Sequence, residues 1–291
     1  MSRRRPPRAR RGQCKPVGYG TAAAASEPAA TSGTGRSRYR AAERAGDRRI
    51  RVVPRSYFRP CSRKRAGAFF RSGRWDMHYN IIDMADDPRS GQFAYFRGMT
   101  FPFAGLTVEM DITDMMAARG GRPFFLSMLY AVVRAANAVP QLRRRLAEDG
   151  TVVEYDWCPP SYTAMKPDGV YVYATVEGEL DYEAFVAEGQ RRQREVLERG
   201  TLTEDGDVRS FFFVSSVPWV HYSQLQHPAE SPDDSNPRIS WGKYVTVNGR
   251  TTLPVSLFVN HALADGLHIS RFFLNLEKEL ADMTRQWNES K

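Results

Sequence analysis

Hydrophobic and polar positions follow two different periods along residues 77–291. In six short stretches apolar residues alternate with polar ones or gather in β-branched and aromatic runs, and both patterns predict strands. These stretches are 105–113, 151–157, 170–176, 210–219, 238–247 and 252–262.

Helical spacing marks three longer stretches. Residues 122–139 are apolar around most of the helix circumference, which predicts a buried helix. Residues 181–200 begin at Asp181 and end at Gly200, residue types that favour the two ends of a surface helix. Apolar residues keep the same spacing from Gly266 to near the C-terminus. Because strands and helices alternate without an internal repeat, we predict an α+β fold with a mixed β-sheet flanked by helices.

The charge of the chain changes sign after residue 76. The whole chain has 42 Lys and Arg against 33 Asp and Glu, a net charge of +9. Residues 1–76 contain 21 basic and 4 acidic residues, a net of +17, which leaves 42 − 21 = 21 basic and 33 − 4 = 29 acidic residues in 77–291, a net of −8. The basic segment is rich in Arg, Ala, Gly, Ser and Pro and has no sustained apolar period, so we predict that it is disordered.

Three interpretations of this Arg-rich segment remain open. It is translated sequence upstream of a true start at Met77, a tail that binds nucleic acid or anionic lipid, or an extension of another kind. The acidic balance of 77–291 argues against nucleic-acid binding by the folded part. We therefore expect a disordered extension over 1–76 and one folded domain over 77–291.

Cysteine spacing and hydropathy argue against several classes of protein. The three cysteines, Cys14, Cys61 and Cys158, are far apart, which excludes a disulfide framework and a CxxC metal site. The sequence has no run of 18 apolar residues, so we predict no membrane span. It also lacks the apolar segment that follows the first basic residues of a secretory signal. We expect a cytoplasmic protein without a bound metal.

The most informative stretch is LPVSLFVNHALADGLHISRFF, residues 253–273. An apolar strand ends there in His261, and a helix begins beyond Gly266. A side chain at the end of an element can be directed into a cleft, and an imidazole that titrates near neutral pH suits a general base. A lone histidine at a strand end is more often structural. Asp265 is too close in sequence to be an easy partner for His261, and pairing with a distant arginine is the other interpretation.

Four segments of the chain resemble the chloramphenicol acetyltransferase family. NHALADGLH resembles the family's His-His-Ala-x-x-Asp-Gly-x-His signature at His261, Ala262, Asp265, Gly266 and His268. Dihydrolipoyl acyltransferase cores and condensation domains carry a similar signature. In family order, DPRSGQFAYF (87–96) resembles Trp-x-Arg-x-x-His-Phe, SSVPWVHY (215–222) resembles Ser-x-x-Pro-Trp, and ISWGKY (239–244) resembles Thr-Met-Gly-Lys-Tyr. The resemblance covers nearly all of residues 77–291.

This resemblance implies a homotrimer whose active sites lie between subunits. It implies O-acetylation of a hydroxyl acceptor, with acetyl-CoA as co-substrate, no bound cofactor, and chloramphenicol as the leading acceptor, hence antibiotic resistance. An O-acyltransferase acting on a different alcohol or sugar is the alternative within the superfamily. A nucleic-acid-binding protein that uses the Arg-rich tail is the alternative from another class.

The resemblance also implies roles for individual residues. His261 would take the proton of the acceptor hydroxyl, and Ser215 would stabilise the oxyanion. Arg89 and Asp265 would form a buried ion pair that shapes the site. Ser240, which stands where the family has threonine, would hold a water molecule near the oxyanion.

The remaining roles concern the binding of the two substrates. Lys243 and Tyr244 match residues near the coenzyme A site, where a cation and an aromatic ring suit phosphates and adenine, although exposed strand residues fit equally well. The expected walls of the acceptor pocket are Tyr95, Phe96, Thr100, Phe103 and Ala104.

Several positions depart from the family pattern. Asn260 replaces the first histidine of the signature, and Asp87 and Gln92 replace the Trp and His of the opening segment. Pro102 and Ala104 replace a cysteine and an aromatic residue of the antibiotic-acetylating members. Loss of an aromatic wall weakens the assignment of chloramphenicol, because a mostly apolar pocket recognises shape.

Overall fold

The computed structural model describes residues 77–200 and 206–290. The predicted disordered extension, residues 1–76, lies outside these residues. The described strands are β1 (Tyr79–Ile82), β2 (Phe103–Asp111), β3 (Arg144–Leu146), β4 (Val152–Tyr155), β5 (Pro160–Met165), β6 (Tyr171–Thr175), β7 (Phe212–Ser216), β8 (Arg238–Trp241), β9 (Val245–Val247) and β10 (Arg250–Asn260). The described helices are α1 (Ser90–Arg97), α2 (Thr113–Ala118), α3 (Phe124–Asn137), α4 (Tyr182–Arg199) and α5 (Gly266–Glu289), with short 3₁₀ turns at Pro140–Arg143 and Val208–Ser210.

Seven strands form the main sheet, and it is mixed, as the sequence predicts. Its order is β2-β10-β8-β7-β5-β6, with β9 beside β10. The β5–β7 and β7–β8 pairs are parallel, and the other pairs are antiparallel. A separate antiparallel sheet, in the order β1-β4-β3, was not anticipated from the sequence.

Helices cover one face of the main sheet. α3 packs against α5 and α4, and α5 also contacts β2. Ten of the fourteen residues of α3 are buried, which explains why its sequence is apolar around most of its circumference. Ile239 of β8 and Leu257 of β10, on the helix-covered face, are buried in the same core as Phe272 of α5. Within the described residues, no helix combines the length and the apolar character that crossing a membrane requires.

The predicted ends of α4 and the predicted start of α5 agree with the structure, whereas α3 is two residues shorter at each end than predicted. The Asp181 carboxylate accepts a hydrogen bond from the Ala184 N–H at 2.9 Å and caps the N-terminus of α4. Gly200 ends α4 with φ +67°, a conformation that residues with a side chain rarely adopt. Asp265 caps α5 by accepting from the Leu267 N–H at 3.0 Å, so this helix begins at Gly266, five residues after His261.

The single strand predicted over 238–247 is wrong, because the structure has two strands there. β8 ends at Trp241 and β9 begins at Val245. Between them, a Cβ atom on Gly242 would lie 2.9 Å from the Val220 carbonyl oxygen and 2.9 Å from the ring of Pro254. The segment after β7 packs against this point, and the Lys243 N–H donates to the Val220 carbonyl at 2.7 Å. A contact with a distant segment therefore interrupts the strand.

Candidate active site

His261 lies directly after the last residue of β10. Its N–H donates to the Pro102 carbonyl at 2.7 Å, which fixes the backbone at the strand end. Its ring stacks on Phe96, with centroids 3.9 Å apart and planes within 10°. The side chain predicted to be the base and one predicted wall residue therefore lie in direct contact.

The two ring nitrogens of His261 have different surroundings. Nδ1 is buried and has no hydrogen-bond partner within residues 77–200 and 206–290. The residue as a whole is half-buried. Nε2 is thus the nitrogen that a substrate can reach.

Arg89 holds the turn that follows His261. Its Nε donates to Asp265 Oδ2 at 3.1 Å. Its two terminal nitrogens donate to the carbonyl oxygens of Ala262, at 3.1 Å, and of His261, at 3.0 Å. The guanidinium thus links the carboxylate directly to the backbone of the histidine, across a sequence distance that no local pattern reveals.

Asp265 contacts Arg89 and His268, and its hydrogen bonds do not involve His261. Its Oδ1 lies 2.8 Å from His268 Nδ1 and accepts from the Leu267 N–H at 3.0 Å. Its side chain is 30% exposed against 11% for Arg89, so the ion pair is only partly buried. Burial by itself raises the pKa of Asp265, but the charges of His268 and Arg89 and the helix N–H groups outweigh it and lower the pKa.

Asp265→Asn is expected to lower the free energy of unfolding by about 1–2 kcal/mol, less than the ~3–5 kcal/mol of fully buried pairs. The reason is that Arg89 loses its carboxylate while its guanidinium stays mostly buried. Because the folded-state pKa is lowered, the wild-type advantage should be complete above the ordinary aspartate pKa of about 3.9 and should vanish as the pH falls through the lowered value. Urea denaturation at several pH values measures this difference.

A matched control lies on the same helix. Asp282 is also 30% exposed, but it pairs with Arg285, which is 65% exposed. Asp282→Asn should change stability by at most about 0.5 kcal/mol. Equal losses in the two variants would contradict the structural importance of the Arg89–Asp265 pair.

Ser215 belongs to a row of hydroxyl groups that crosses the main sheet. Ser215 of β7 is paired with Ser240 of β8, Ser240 with Ser256 of β10, and Ser256 with Thr107 of β2. Directly paired residues project from the same face, which here is the face opposite α3 and α5. Ser240 and Ser256 are buried, whereas Ser215 is half-buried. The predicted oxyanion donor therefore lies at one half-buried end of a row whose middle members are buried.

Two side chains that the sequence analysis did not single out contact this row. His227 Nε2 lies 3.1 Å from Ser240 Oγ, and the Tyr222 hydroxyl donates to the same atom at 3.4 Å. Ser256 donates to the Tyr222 oxygen at 3.3 Å. Burial and the positive charge of Arg238 lower the pKa of His227 to about 4, so its imidazole is neutral at pH 7. Both residues lie on the segment between β7 and β8, which has no periodic pattern.

An aromatic groove of about 420 Å³ opens on the same face of the sheet. Phe103 stacks on Phe258 at 5.2 Å, and Phe101 meets Phe103 edge-on at 5.1 Å. Gly105 permits this packing, because a Cβ atom there would lie 3.2 Å from the Phe258 ring. The segment 223–226, which contains Gln224 and Gln226, also lines the groove.

Comparison with known proteins identifies the family. A family model described as chloramphenicol acetyltransferase matches residues 77–277. The chain belongs to the chloramphenicol acetyltransferase family. It is similar to chloramphenicol acetyltransferase 2 of Escherichia coli, with 29% identity over 212 residues that cover 69% of this chain and 96% of that protein. It is also similar to the chloramphenicol acetyltransferase of Campylobacter coli, with 27% identity over 204 residues, 69% of this chain and 98% of that protein.

Solved structures agree with this membership. A chloramphenicol acetyltransferase structure is 27% identical, has a TM-score of 0.60, and covers 70% of this chain and 100% of that chain. A probable dihydrolipoamide acetyltransferase from Listeria monocytogenes shares the fold at 16% identity and a TM-score of 0.53, covering 69% and 93% of the two chains. The family prediction is confirmed, and the protein is an acyltransferase.

Asn260 replaces the first histidine of the family signature and has a structural contact of its own. Its buried side-chain amide donates to the carbonyls of Pro232, at 2.9 Å, and Asp234, at 3.0 Å. Its Oδ1 accepts from the Ala262 N–H at 3.0 Å. Asn260 thus links the turn after His261 to the loop before β8, and both the nitrogen and the oxygen of its side-chain amide are paired.

The predicted acceptor walls are not all on one side of the sheet. Phe103 lies in the aromatic groove, but Ala104 is its neighbour on β2 and packs against the helix-covered core. Within a single copy of the chain, these two side chains therefore lie on opposite faces of the sheet. Tyr95 is 67% exposed and meets Phe96 edge-on, and Thr100 is exposed. Neither of these two residues lines the groove.

Lys243 and Tyr244 lie at the break between β8 and β9. Both are exposed, and the Tyr244 ring meets Phe124 edge-on at 5.3 Å. The Lys243 N–H donates to Val220, which follows Trp219, a residue 66% exposed. The structure thus places a cation on the surface near two accessible aromatic rings. Among the described residues, no group of His, Cys, Asp and Glu side chains is arranged to hold a metal ion.

Proposed function

We propose that this acyltransferase moves the acetyl group of acetyl-CoA to a hydroxyl group of a small acceptor, with chloramphenicol the leading acceptor. Membership of the chloramphenicol acetyltransferase family carries this proposal. The accessible Nε2 of His261 and the half-buried hydroxyl of Ser215 supply the two groups that such a transfer needs.

In this mechanism His261 is the general base. Nε2 accepts the proton of the acceptor hydroxyl while that oxygen attacks the thioester carbonyl of acetyl-CoA. The tetrahedral intermediate carries negative charge on the former carbonyl oxygen, to which the Ser215 hydroxyl donates. When the carbon–sulfur bond breaks, the proton held by His261 passes to the departing thiolate, so that CoA and the acetyl ester are released. The Arg89–Asp265 pair holds the backbone of His261 without exchanging protons.

The acetyl group passes directly from thioester to acceptor in this proposal. Cys158 is the one cysteine among the described residues, and burial raises its pKa to about 11. A buried thiol at that pKa is a poor nucleophile and is closed to acetyl-CoA. A chemical step that avoids an acetyl-enzyme intermediate is therefore favoured.

We infer that each active site takes its base from one subunit and its oxyanion donor from another. Through Ser240, Ser215 is in register with Ser256, which lies two strands away on β10 and five residues before His261. The side chains of Ser215 and His261 are therefore roughly 15–20 Å apart within one copy. Both cannot contact one thioester at that separation. A homotrimer with sites between subunits, as the resemblance to the family implies, brings residues of different copies together.

The aromatic groove supports an acceptor that contains an aromatic ring. Phe101, Phe103 and Phe258 offer ring faces and edges, and Gln224 and Gln226 offer amides for polar substituents. Chloramphenicol has this combination, and the groove supplies aromatic walls despite the alanine at position 104. Lys243, Tyr244 and Trp219 are proposed to bind the phosphates and adenine of coenzyme A.

The proposed function predicts thiol release from acetyl-CoA that depends on the acceptor. Purified protein with acetyl-CoA and chloramphenicol should release CoA far faster than with acetyl-CoA alone, as read with a thiol reagent. A panel of other alcohols and sugars in the same assay identifies the acceptor if chloramphenicol is poor. Thiol release that no acceptor increases would contradict O-acetylation.

A further inference from the structure

A continuous hydrogen-bond network follows the hydroxyl row. It runs from Thr107 to Ser256 at 2.7 Å, from Ser256 to Tyr222 at 3.3 Å, from Tyr222 to Ser240 at 3.4 Å, and from Ser240 to His227 at 3.1 Å. Four of its five members carry hydroxyl groups and the fifth carries a neutral imidazole. Ser240, the member bonded to His227, is the register partner of Ser215 on the neighbouring strand.

Ser240 is the member whose orientation matters most to the site. Its side chain is fully buried, and its oxygen is contacted from two sides by His227 and Tyr222. A serine hydroxyl rotates among three staggered positions, so two fixed partners select one of them. Donors around an oxyanion act without a reorganisation cost only when they are oriented beforehand.

His227 is well suited to provide this orientation. Its ring is a rigid group, and the positive charge of Arg238 together with burial keeps it neutral, so it acts as a hydrogen-bonding group and not as an acid at neutral pH. Either direction of the His227–Ser240 bond fixes the Ser240 rotamer. Gly242 leaves room for the second partner, because a Cβ atom there would lie 3.0 Å from the Tyr222 ring.

We propose that His227 is a positioning residue of the oxyanion half of the site: through Ser240 it fixes the polar surroundings of Ser215. This inference rests on the proposed acyl transfer. His227 does not touch the reacting atoms in this account. Its substitution should therefore change kcat and not KM, and the change should depend on Ser240.

The test compares His227→Phe, which removes the hydrogen bond, with His227→Gln, whose amide nitrogen can replace Nε2. With acetyl-CoA and the best acceptor of the panel, His227→Phe should lower kcat about tenfold, less than the 10²–10³ typical of losing an oxyanion donor itself. Both KM values should stay within about twofold of wild type, and His227→Gln should keep most of the wild-type kcat. His78→Phe, at an exposed position directly before β1, is the control.

A double-mutant cycle shows whether the effect passes through Ser240. In a Ser240→Ala background, His227→Phe should change kcat less than twofold, because the group it positions is gone. If His227→Phe does not fold, Tyr222→Phe removes the other partner of Ser240 and should show the same dependence on Ser240. A full tenfold effect in the Ser240→Ala background overturns the inference.

Two further outcomes separate this inference from the proposed function. If the wild-type protein turns over and His227→Phe has the same kcat, the positioning inference is overturned and the proposed function stands. A wild-type protein that releases no thiol with any acceptor overturns the proposed function, and the positioning role falls with it.

Discussion

His261→Ala should lower kcat by at least the ~10²–10⁴ typical of losing a general base. Nε2 of His261 is the accessible nitrogen of a ring held by Phe96 and by the backbone bonds to Pro102 and Arg89. The remaining groups stay in place when the imidazole is removed, so folding and acetyl-CoA binding should persist. Steady-state thiol release and equilibrium binding of acetyl-CoA measure the two effects separately.

The matched control for this variant is His78→Ala. His78 is exposed and its backbone carbonyl, not its ring, accepts the hydrogen bond from Asp156. Turnover of His78→Ala should equal that of wild type. If His261→Ala kept more than about a tenth of the wild-type kcat, the assignment of the base would be wrong.

Ser215→Ala should lower kcat by roughly 10²–10³ with little change in stability, because it removes the proposed donor to the oxyanion from a half-buried position. Its neighbour Ser216 is an internal control. Ser216 is paired with Trp241, whose ring packs against Phe125 on the helix-covered face, so its side chain points away from the hydroxyl row. Thiol release by both variants, with thermal unfolding as a check on folding, measures the difference. Equal loss of turnover in Ser216→Ala would argue for a general disturbance of β7.

Local sequence patterns predicted most of the fold because burial and short-range hydrogen bonds determine the elements concerned. The helix over 122–139 is apolar on nearly all sides since the core surrounds it, and Asp181 and Gly200 mark helix ends through bonds made within one turn. The prediction of one strand over 238–247 was wrong because a contact with a distant segment decides the structure there. Its interruption at Gly242 arises from contact with the segment after β7, and no periodicity within the strand reports such a contact.

The residues of the candidate site also fall into those that the sequence analysis named and those that it missed. The resemblance to the family pointed to His261, Arg89 and Asp265, which the structure brings together through hydrogen bonds. His227 and Tyr222 were missed, because they reach Ser240 only through the path of an aperiodic segment across the sheet.

The sequence pattern predicted the start of β2 two residues late, at 105 and not at Phe103. Consecutive residues of a strand point to opposite faces, so Phe103 and Ala104, the first two residues of β2, face opposite sides of the sheet. The structure places them as this alternation requires, Phe103 in the groove and Ala104 against the core.

The most direct test of the proposed shared site mixes two inactive variants. His261→Ala and Ser215→Ala chains with different affinity tags would be expressed together, and oligomers that carry both tags would be purified. In a trimer that contains both variants, one of three sites combines an unaltered His261 with an unaltered Ser215, so about one third of wild-type turnover is expected. If both residues acted within one chain, the mixed oligomers would be as inactive as either variant alone, and that result would contradict the account.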